Sequence, residues 1–442
     1  MKSKSSLAIF GGPKSVTKDP GDMFTWPIIT KEDENAVLEV LRRGAMSNLD
    51  VTLQFEKEFA AWQGRRYALA HNTGTASLEA AMFGCKVGIG DEIICPAATY
   101  WASCLACYSL GATVVFADID PDTQCIDPSD IEPRISPRTK AIVVVHYMGY
   151  PVDMDRIMRI ARKHKIKVIE DVSHGQGGVY KGRKLGTIGD VAGISLMSGK
   201  SLAIGEGGML VTNDLEIYER ALAWGHYERF GNKIKTKYLR PLAGLPLGGH
   251  KYRMHQLSSA VGRGQLRHFD QRCGEIRRAM NFFWDLLEGV PGIRAHRPPK
   301  NSNSHMGGWF APHGLYRPQE LNGLSVTRFA EAIRAEGVSC IPGMLRPLHL
   351  HPLFNTADIY GHGKPTRIAN AARDLRQPPG SLPASEASQG LLYSIPWFKH
   401  YRPEIIRQYA MAFRKVAENY RELLKGDKGD PANLGLWSAS RH

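Results

Sequence analysis

In the stretch Thr30 to Gly44, apolar residues recur at helical spacing (ENAVLEVLRRG) behind Thr30-Lys31-Glu32-Asp33. The spacing predicts an amphipathic helix, with Thr30 capping free amides and the acids at the positive end of the dipole. A second helix is predicted at 52–62. From residue 66 the pattern changes. Nearly continuous apolar runs (RYALAH, EIICPA, ATVVFADI, AIVVVHYM, KVIED, VAGISLM, GGMLVT) are interleaved with helical stretches (TASLEAAMFGC, YWASCLACYSL, DMDRIMRIARKHK). Runs unbroken by polar positions mark strands buried on both faces. The pattern therefore predicts an α/β protein with a large, mostly parallel sheet covered by helices on both sides.

The same pattern divides the chain. Residues 1–254 read as an N-terminal segment and a large α/β domain, ending in the Gly/Pro/basic connection LRPLAGLPLGGHKYRM. Residues 255–425 read as a smaller C-terminal α/β domain, opening with a long helix that has breaks (HQLSSAVGRGQLRHFDQRCGEIRRAMNFFWDLLEG). Within it, 363–389 reads as a surface excursion, and the polar, Gly/Pro-containing stretch 426–442 as a flexible tail.

Composition narrows the class. With 442 residues, 43% hydrophobic and 23% charged, the chain has the make-up of a soluble globular protein with a sizeable core. It has no apolar stretch near the roughly 20 residues of a membrane helix. The N-terminus has only the short apolar run LAIF, so a cytoplasmic protein without membrane association is expected. The cysteines at 85, 95, 104, 107, 125, 273 and 340 are odd in number and scattered, as in a reduced compartment. Cys104 and Cys107 lie in an apolar helical stretch without a second pair, which favours packing over a metal, and no metal site is expected. The net charge of +14 is dispersed, and no helix-turn-helix, zinc-finger or RNA-binding signature accompanies it. It suits nucleic acid and phosphorylated small molecules alike.

Three segments carry candidate chemistry. In HNTGTASLE, beginning at His71, a strand ends in a Gly-Thr turn that opens a helix, whose free amides favour an anion. Gly74 permits close backbone approach and Thr75 adds a hydroxyl; an ordinary Thr-capped turn fits this segment as well. Glu170, Asp171 and His174 follow the strand KVI, at the carboxyl end where open α/β sheets build their sites. A carboxylate there can neutralise a protonated pyridine nitrogen or simply cap a helix. In SLMSGKSLAIGEGG, beginning at Ser195, Lys200 is the only charge between Val191 and Ile204. A partly buried lysine has a lowered pKa and condenses with aldehydes.

Taken in order, these segments resemble the DegT/DnrJ/EryC1/StrS family of pyridoxal-phosphate-dependent aminotransferases of sugars and cyclitols. The likeness runs through LAIFGGPKSV, GDEIICPAATYWAS, ADIDPDTQCIDP, TKAIVVVHYMGYPVDMD, IEDVSHGQGG, GTIGDVAGISLMSGK and YRMHQLSSAVGRGQL. It implies the aspartate-aminotransferase-like fold (fold type I), pyridoxal 5′-phosphate as cofactor, and a homodimer with sites at the subunit interface. By the same resemblance, Lys200 forms the imine with the cofactor aldehyde and moves the proton, and Asp171 pairs with the pyridine nitrogen. Tyr100 stands where the family places the aromatic that stacks on the ring. Gly74, Thr75 and Ser195 hold the phosphate, and His174 lies beside the phenolic oxygen. Lys200 also sets the chain apart from the deoxysugar dehydratase branch, which has His there.

Two positions depart from the family. In GHKYRM, Lys251 replaces the Asn that reaches the phosphate across the dimer interface, and it is expected to serve as a charged phosphate donor. LLYSIPWFKH stands where cyclitol aminotransferases and aminohydroxybenzoate synthases have a His-His pair. The implied reaction moves an amino group from glutamate or glutamine to a keto-cyclitol or keto-sugar in natural-product biosynthesis. TQCIDP, LHLHPLFN and the added length at 345–390 resemble the cyclitol branch, with a nucleotide-linked keto-sugar as the alternative acceptor. A regulatory or nucleic-acid-binding protein is the reading from another class, supported by charge alone. A lyase or aldolase on the same fold is a third.

Overall fold

The structure, a computed structural model, describes residues 5–231 and 234–437. In the large domain, α1 (Lys31–Arg42) begins with Thr30 as its predicted cap, in a reciprocal box with Asp33, and α2 (Asp50–Gln63) follows. The strands are β1 (Tyr67–His71), β2 (Glu92–Pro96), β3 (Thr113–Ala117), β4 (Thr139–Val145) and β5 (Lys167–Asp171). A short hairpin, β6 (Val179–Tyr180) and β7 (Arg183–Lys184), precedes β8 (Val191–Ser195) and β9 (Gly208–Thr212). Seven of them form one sheet in the order β1-β9-β8-β5-β4-β2-β3. Only β9 runs against its neighbours, so the sheet is mostly parallel, as its unbroken apolar strands predict. Its layers are completed by α3 (Gly74–Gly84), α4 (Met154–His164) and α5 (Leu215–Gly225).

Three local readings change. YWASCLACYSL is two 3-10 turns, Trp101–Ser103 and Leu105–Leu110, separated at Cys104, whose φ of −131° breaks the helix. Cys104 and Cys107 are buried there as free thiols. The helix expected to have breaks is continuous, as α6 (Gln256–Leu286). Gly262 is a contact point: a Cβ there would lie 2.6 Å from the Phe55 ring, so that glycine lets α2 approach closely. Among the described residues no helix is long and apolar enough to cross a membrane.

The second core gathers α6, α7 (Val326–Ala335) and the antiparallel sheet β10 (Ile293–Ala295), β11 (His313–Tyr316) and β12 (Leu392–Ser394). The N-terminal segment packs here and also reaches the large domain, where the Trp26 indole donates to the Lys200 carbonyl at 2.9 Å. Leu7 and Met23 enter this core, and the Glu336 carboxylate accepts from the amides of Ala8 and Ser15, each at 2.9 Å.

The excursion at 363–389 is also not loose surface. With α8 (Pro352–Asn355), α9 (Thr366–Ala369) and α10 (Pro383–Ala387), it covers the open edge of β3. Gln377 closes both main-chain groups of Phe116, accepting its N–H at 3.1 Å and donating to its carbonyl at 2.8 Å. Buried Arg367 donates to Gln377 at 2.6 Å and to the Val114 carbonyl at 3.2 Å. An edge strand left bare invites pairing with other chains, and a side chain that mimics a strand prevents it.

α11 (Pro403–Glu418) completes the domain. Where a flexible tail is expected, 426–437 returns to the fold: the Asp427 carboxylate accepts from Ser325, and the Leu436 amide donates to the Met344 carbonyl at 2.8 Å. The rest of that tail, 438–442, lies outside the described residues. Gln377→Ala strips Phe116 of both partners and is expected to lower the unfolding free energy by about 1–3 kcal/mol. Urea unfolding reads this as a lower midpoint at unchanged slope; an unchanged midpoint contradicts the edge-covering role.

Candidate active site

At the carboxyl end of β1 the chain turns through Thr73, whose side chain accepts from the Ala76 amide at 3.0 Å and so starts α3. As at any helix start, the amides of Gly74 and Thr75 lack an intrahelical acceptor and carry partial positive charge. Gly74 is confined. A Cβ there would lie 2.5 Å from the Cβ of Ser195, the last residue of β8. Only glycine lets the first turn of α3 settle against that strand end, which brings the Ser195 hydroxyl beside the free amides.

β5 supplies two acids in succession, and the alternation of a strand sends them to opposite faces. Glu170 turns away from the site. Its buried carboxylate accepts from the amides of Gly186, Ile188 and Gly189 and meets Nε2 of His146 at 3.1 Å. Burial opposes its ionisation, but the His146 contact and these amides outweigh that and hold its pKa low. Asp171 faces the cavity, accepting from Ser103 Oγ at 2.7 Å and from the Ser173 amide at 3.0 Å.

Lys200 follows β8 in a tight turn closed by its own amide on the Met197 carbonyl at 2.8 Å. Gln176 clamps this turn, donating to the Ser195 carbonyl at 2.6 Å and accepting from the Leu202 amide at 2.6 Å. Lys200 is 9% exposed. Burial lowers its pKa from 10.5 to about 8, against the pull of the Asp171 charge in the other direction. His174 is also buried, and desolvation together with the Lys200 charge holds it well below its ordinary pKa, hence neutral. Its Nδ1 accepts from the Met148 amide at 3.2 Å, which assigns the proton to Nε2.

Gly74, Thr75, Tyr100, Asp171, His174, Ser195 and Lys200 together line one cavity of about 420 Å³. Lys251 is not among them. It lies half-exposed in a separate recess with Met46 and His255, its Nζ 3.2 Å from Glu228. Three contributors carried no signal in the sequence reading. Ser103 holds Asp171 and Gln176 holds the lysine turn. Phe310, far along the chain, has its ring centroid 3.9 Å from Lys200 Nζ. The first two stand close to the motifs, three residues after Tyr100 and two after His174, whereas nothing local marks Phe310.

The donor set fits a phosphorylated aromatic aldehyde. Free amides and two hydroxyls face one end, an aromatic and an imidazole flank the middle, and an acid and a lowered-pKa amine complete it. Residues 27–383 match the DegT/DnrJ/EryC1/StrS aminotransferase family. The chain belongs to this family. It is similar to GDP-perosamine synthase of Caulobacter vibrioides, 33% identical over 74% of this chain and 85% of that protein. It is also similar to L-glutamine:scyllo-inosose aminotransferase of Streptomyces griseus, 31% identical over 95% of this chain and 99% of that one. Among solved structures, the aminotransferase from Psychrobacter cryohalolentis superposes with a TM-score of 0.78 at 28% identity, covering 90% of this chain and 99% of the other. The protein is thus a pyridoxal-phosphate-dependent aminotransferase of the aspartate-aminotransferase-like fold.

The electrostatics of the cavity give a pH prediction. Only the neutral amine is nucleophilic, and its fraction rises with pH through the pKa. In the cofactor-free chain, labelling of Lys200 by a small imidoester is expected to rise with a midpoint near pH 8. Asp171→Asn removes the charge that favours the ammonium and shifts the midpoint lower still. Peptide mass spectrometry checks both, and a midpoint at the ordinary 10.5 contradicts the buried setting.

Proposed function

We propose that the protein transfers the amino group of glutamate or glutamine to the ketone of a cyclitol or an unactivated sugar in natural-product biosynthesis. The observation that carries this reading is the buried amine of Lys200, placed in one cavity with Asp171 and the Gly74–Thr75 helix start. Pyridoxal phosphate, when bound, supplies an aldehyde that captures amines and an electron-poor ring that takes up the electron pair of the donor's α-carbon.

The chain's own residues do the rest. The amides of Gly74 and Thr75, with the hydroxyls of Thr75 and Ser195, bind the phosphate dianion at the positive end of α3. Asp171, held by its Ser103 and Ser173 contacts, would face the ring nitrogen; Tyr100 would pack against the ring, and neutral His174 would offer Nε2–H to the phenolic oxygen. Lys200 carries the proton. Its lowered pKa lets Nζ accept a proton from the donor's α-carbon at neutral pH and give it up again. We further propose a homodimer, in which Lys251, half-exposed and outside its own chain's cavity, reaches the phosphate of the partner's site.

For the acceptor, the likeness to the scyllo-inosose enzyme supports a cyclitol, because it extends over 95% of this chain. The relation to GDP-perosamine synthase, at 33% identity, supports a nucleotide-linked keto-sugar as the second reading. Incubation with amino-¹⁵N glutamate or glutamine and each ketone class separates them. Label is expected in the product from the cyclitol ketone and not with Lys200→Ala. Transfer only to a nucleotide-linked ketone overturns the acceptor assignment, and transfer by Lys200→Ala at the native rate overturns the mechanism.

A further inference from the structure

Phe310 is the residue the mechanism leaves unused, although its ring is the aromatic face nearest the reactive amine. Lys200 Nζ sits 3.9 Å from the ring centroid, within the range of a cation–π contact. The charged and titratable groups around this amine are few. Asp171 acts as a nearby charge without a hydrogen bond, His174 is neutral, Tyr100 lines the same cavity, and Glu206 stands exposed at its margin. Among the described residues, the ring face is therefore the close partner of Nζ.

The surrounding backbone is built to hold that ring in place. Trp309 and Ala311, on either side of it, both take left-handed conformations, with φ of 56° and 47°. Neither is a glycine, so the geometry is strained and persists only because the neighbours enforce it. Gly307 and Gly308 thread a slot in which a Cβ would strike the Gln176 carbonyl or the Ser201 side chain. The Gly308 amide donates to the Gln176 carbonyl at 3.2 Å, and its own carbonyl accepts from Trp397 Nε1 at 2.9 Å. Gln176 is also the residue that clamps the Lys200 turn, so one side chain and its backbone set both the amine and the ring. The ring is further wedged at 4.5 Å from His174 and 5.8 Å, edge-on, from Trp397.

We propose that Phe310 is a positioning residue for the proton-moving amine, its ring face receiving the Lys200 ammonium whenever Nζ is free. This rests on the role given to Lys200 above. An ammonium formed by proton uptake would otherwise stand in a desolvated cavity with no hydrogen-bonding anion. The negative face of the ring stabilises it in place, keeps it from swinging toward Asp171, and leaves all its protons available to return.

The test compares Phe310→Leu, Phe310→Tyr and 3,4,5-trifluorophenylalanine at position 310, in the full-length, cofactor-free chain. The fluorinated ring keeps the shape and weakens the negative face, so it remains informative should Phe310→Leu fail to fold. The readout is the pH midpoint of Lys200 labelling, which needs no amine transfer. The midpoint is expected to fall by about half a pH unit or more with Leu and with the fluorinated ring, and to stay in place with Tyr. Equal midpoints in all four proteins overturn the inference, whether or not transfer occurs. A shifted midpoint in an enzyme that transfers no amine upholds the contact and faults the functional reading instead.

Discussion

An amine withheld from water, with no anion bonded to it, is the condition on which the rest of this structure depends. A surface lysine is an ammonium at neutral pH and neither condenses with an aldehyde nor accepts a proton from carbon. Burial of Lys200 brings its pKa to about 8, where both protonation states are accessible. The Asp171 charge alone would undo this if it came into contact. Ser103 and the Ser173 amide instead hold that carboxylate in place. The site is thus a balance between desolvation and a nearby charge that is not bonded to the amine, fixed by geometry.

That geometry is made by the sheet and not by the loops alone. The carboxyl ends of the parallel strands β5 and β8 deliver Asp171 and Ser195, and α3 begins where β1 ends, so three sequence-distant segments meet at one rim. The alternation along β5 sends Glu170 the other way, where it anchors the 186–189 turn with three amide contacts. Gly74 and Gly193 let α3 lie directly on β8, since a Cβ on either would strike Ser195 or Leu78. Rigid strand ends and close helix contact place the functional groups more tightly than a mobile loop would.

What was legible in the sequence is what is written locally. Apolar runs mark the strands, Thr30 marks the start of α1, and the Gly74, Asp171 and Lys200 segments each carry their chemistry within a few residues; Tyr100 is legible only through the family resemblance, and it lines the same cavity as the other six. What failed to show depends on distant contacts. The N-terminal segment joins the second core through Glu336, more than 300 positions away. The 363–389 stretch reads as surface because its polar side chains are spent on the backbone of β3, which hydropathy does not register. Phe310 has no motif, and only the fold sets it against Lys200. The expected role of Lys251 depends on a second subunit, since within its own chain it lies outside the cavity.

The most direct measurement is to load the full chain with pyridoxal phosphate, reduce it with borohydride, and locate the added mass by peptide sequencing. Reduction fixes the cofactor to whichever amine holds it. The account requires a single adduct, on Lys200, lost on prior treatment with an amino donor that converts the cofactor to its amine form. An adduct on Lys399, the other buried lysine among the described residues, or on Lys251, would contradict it.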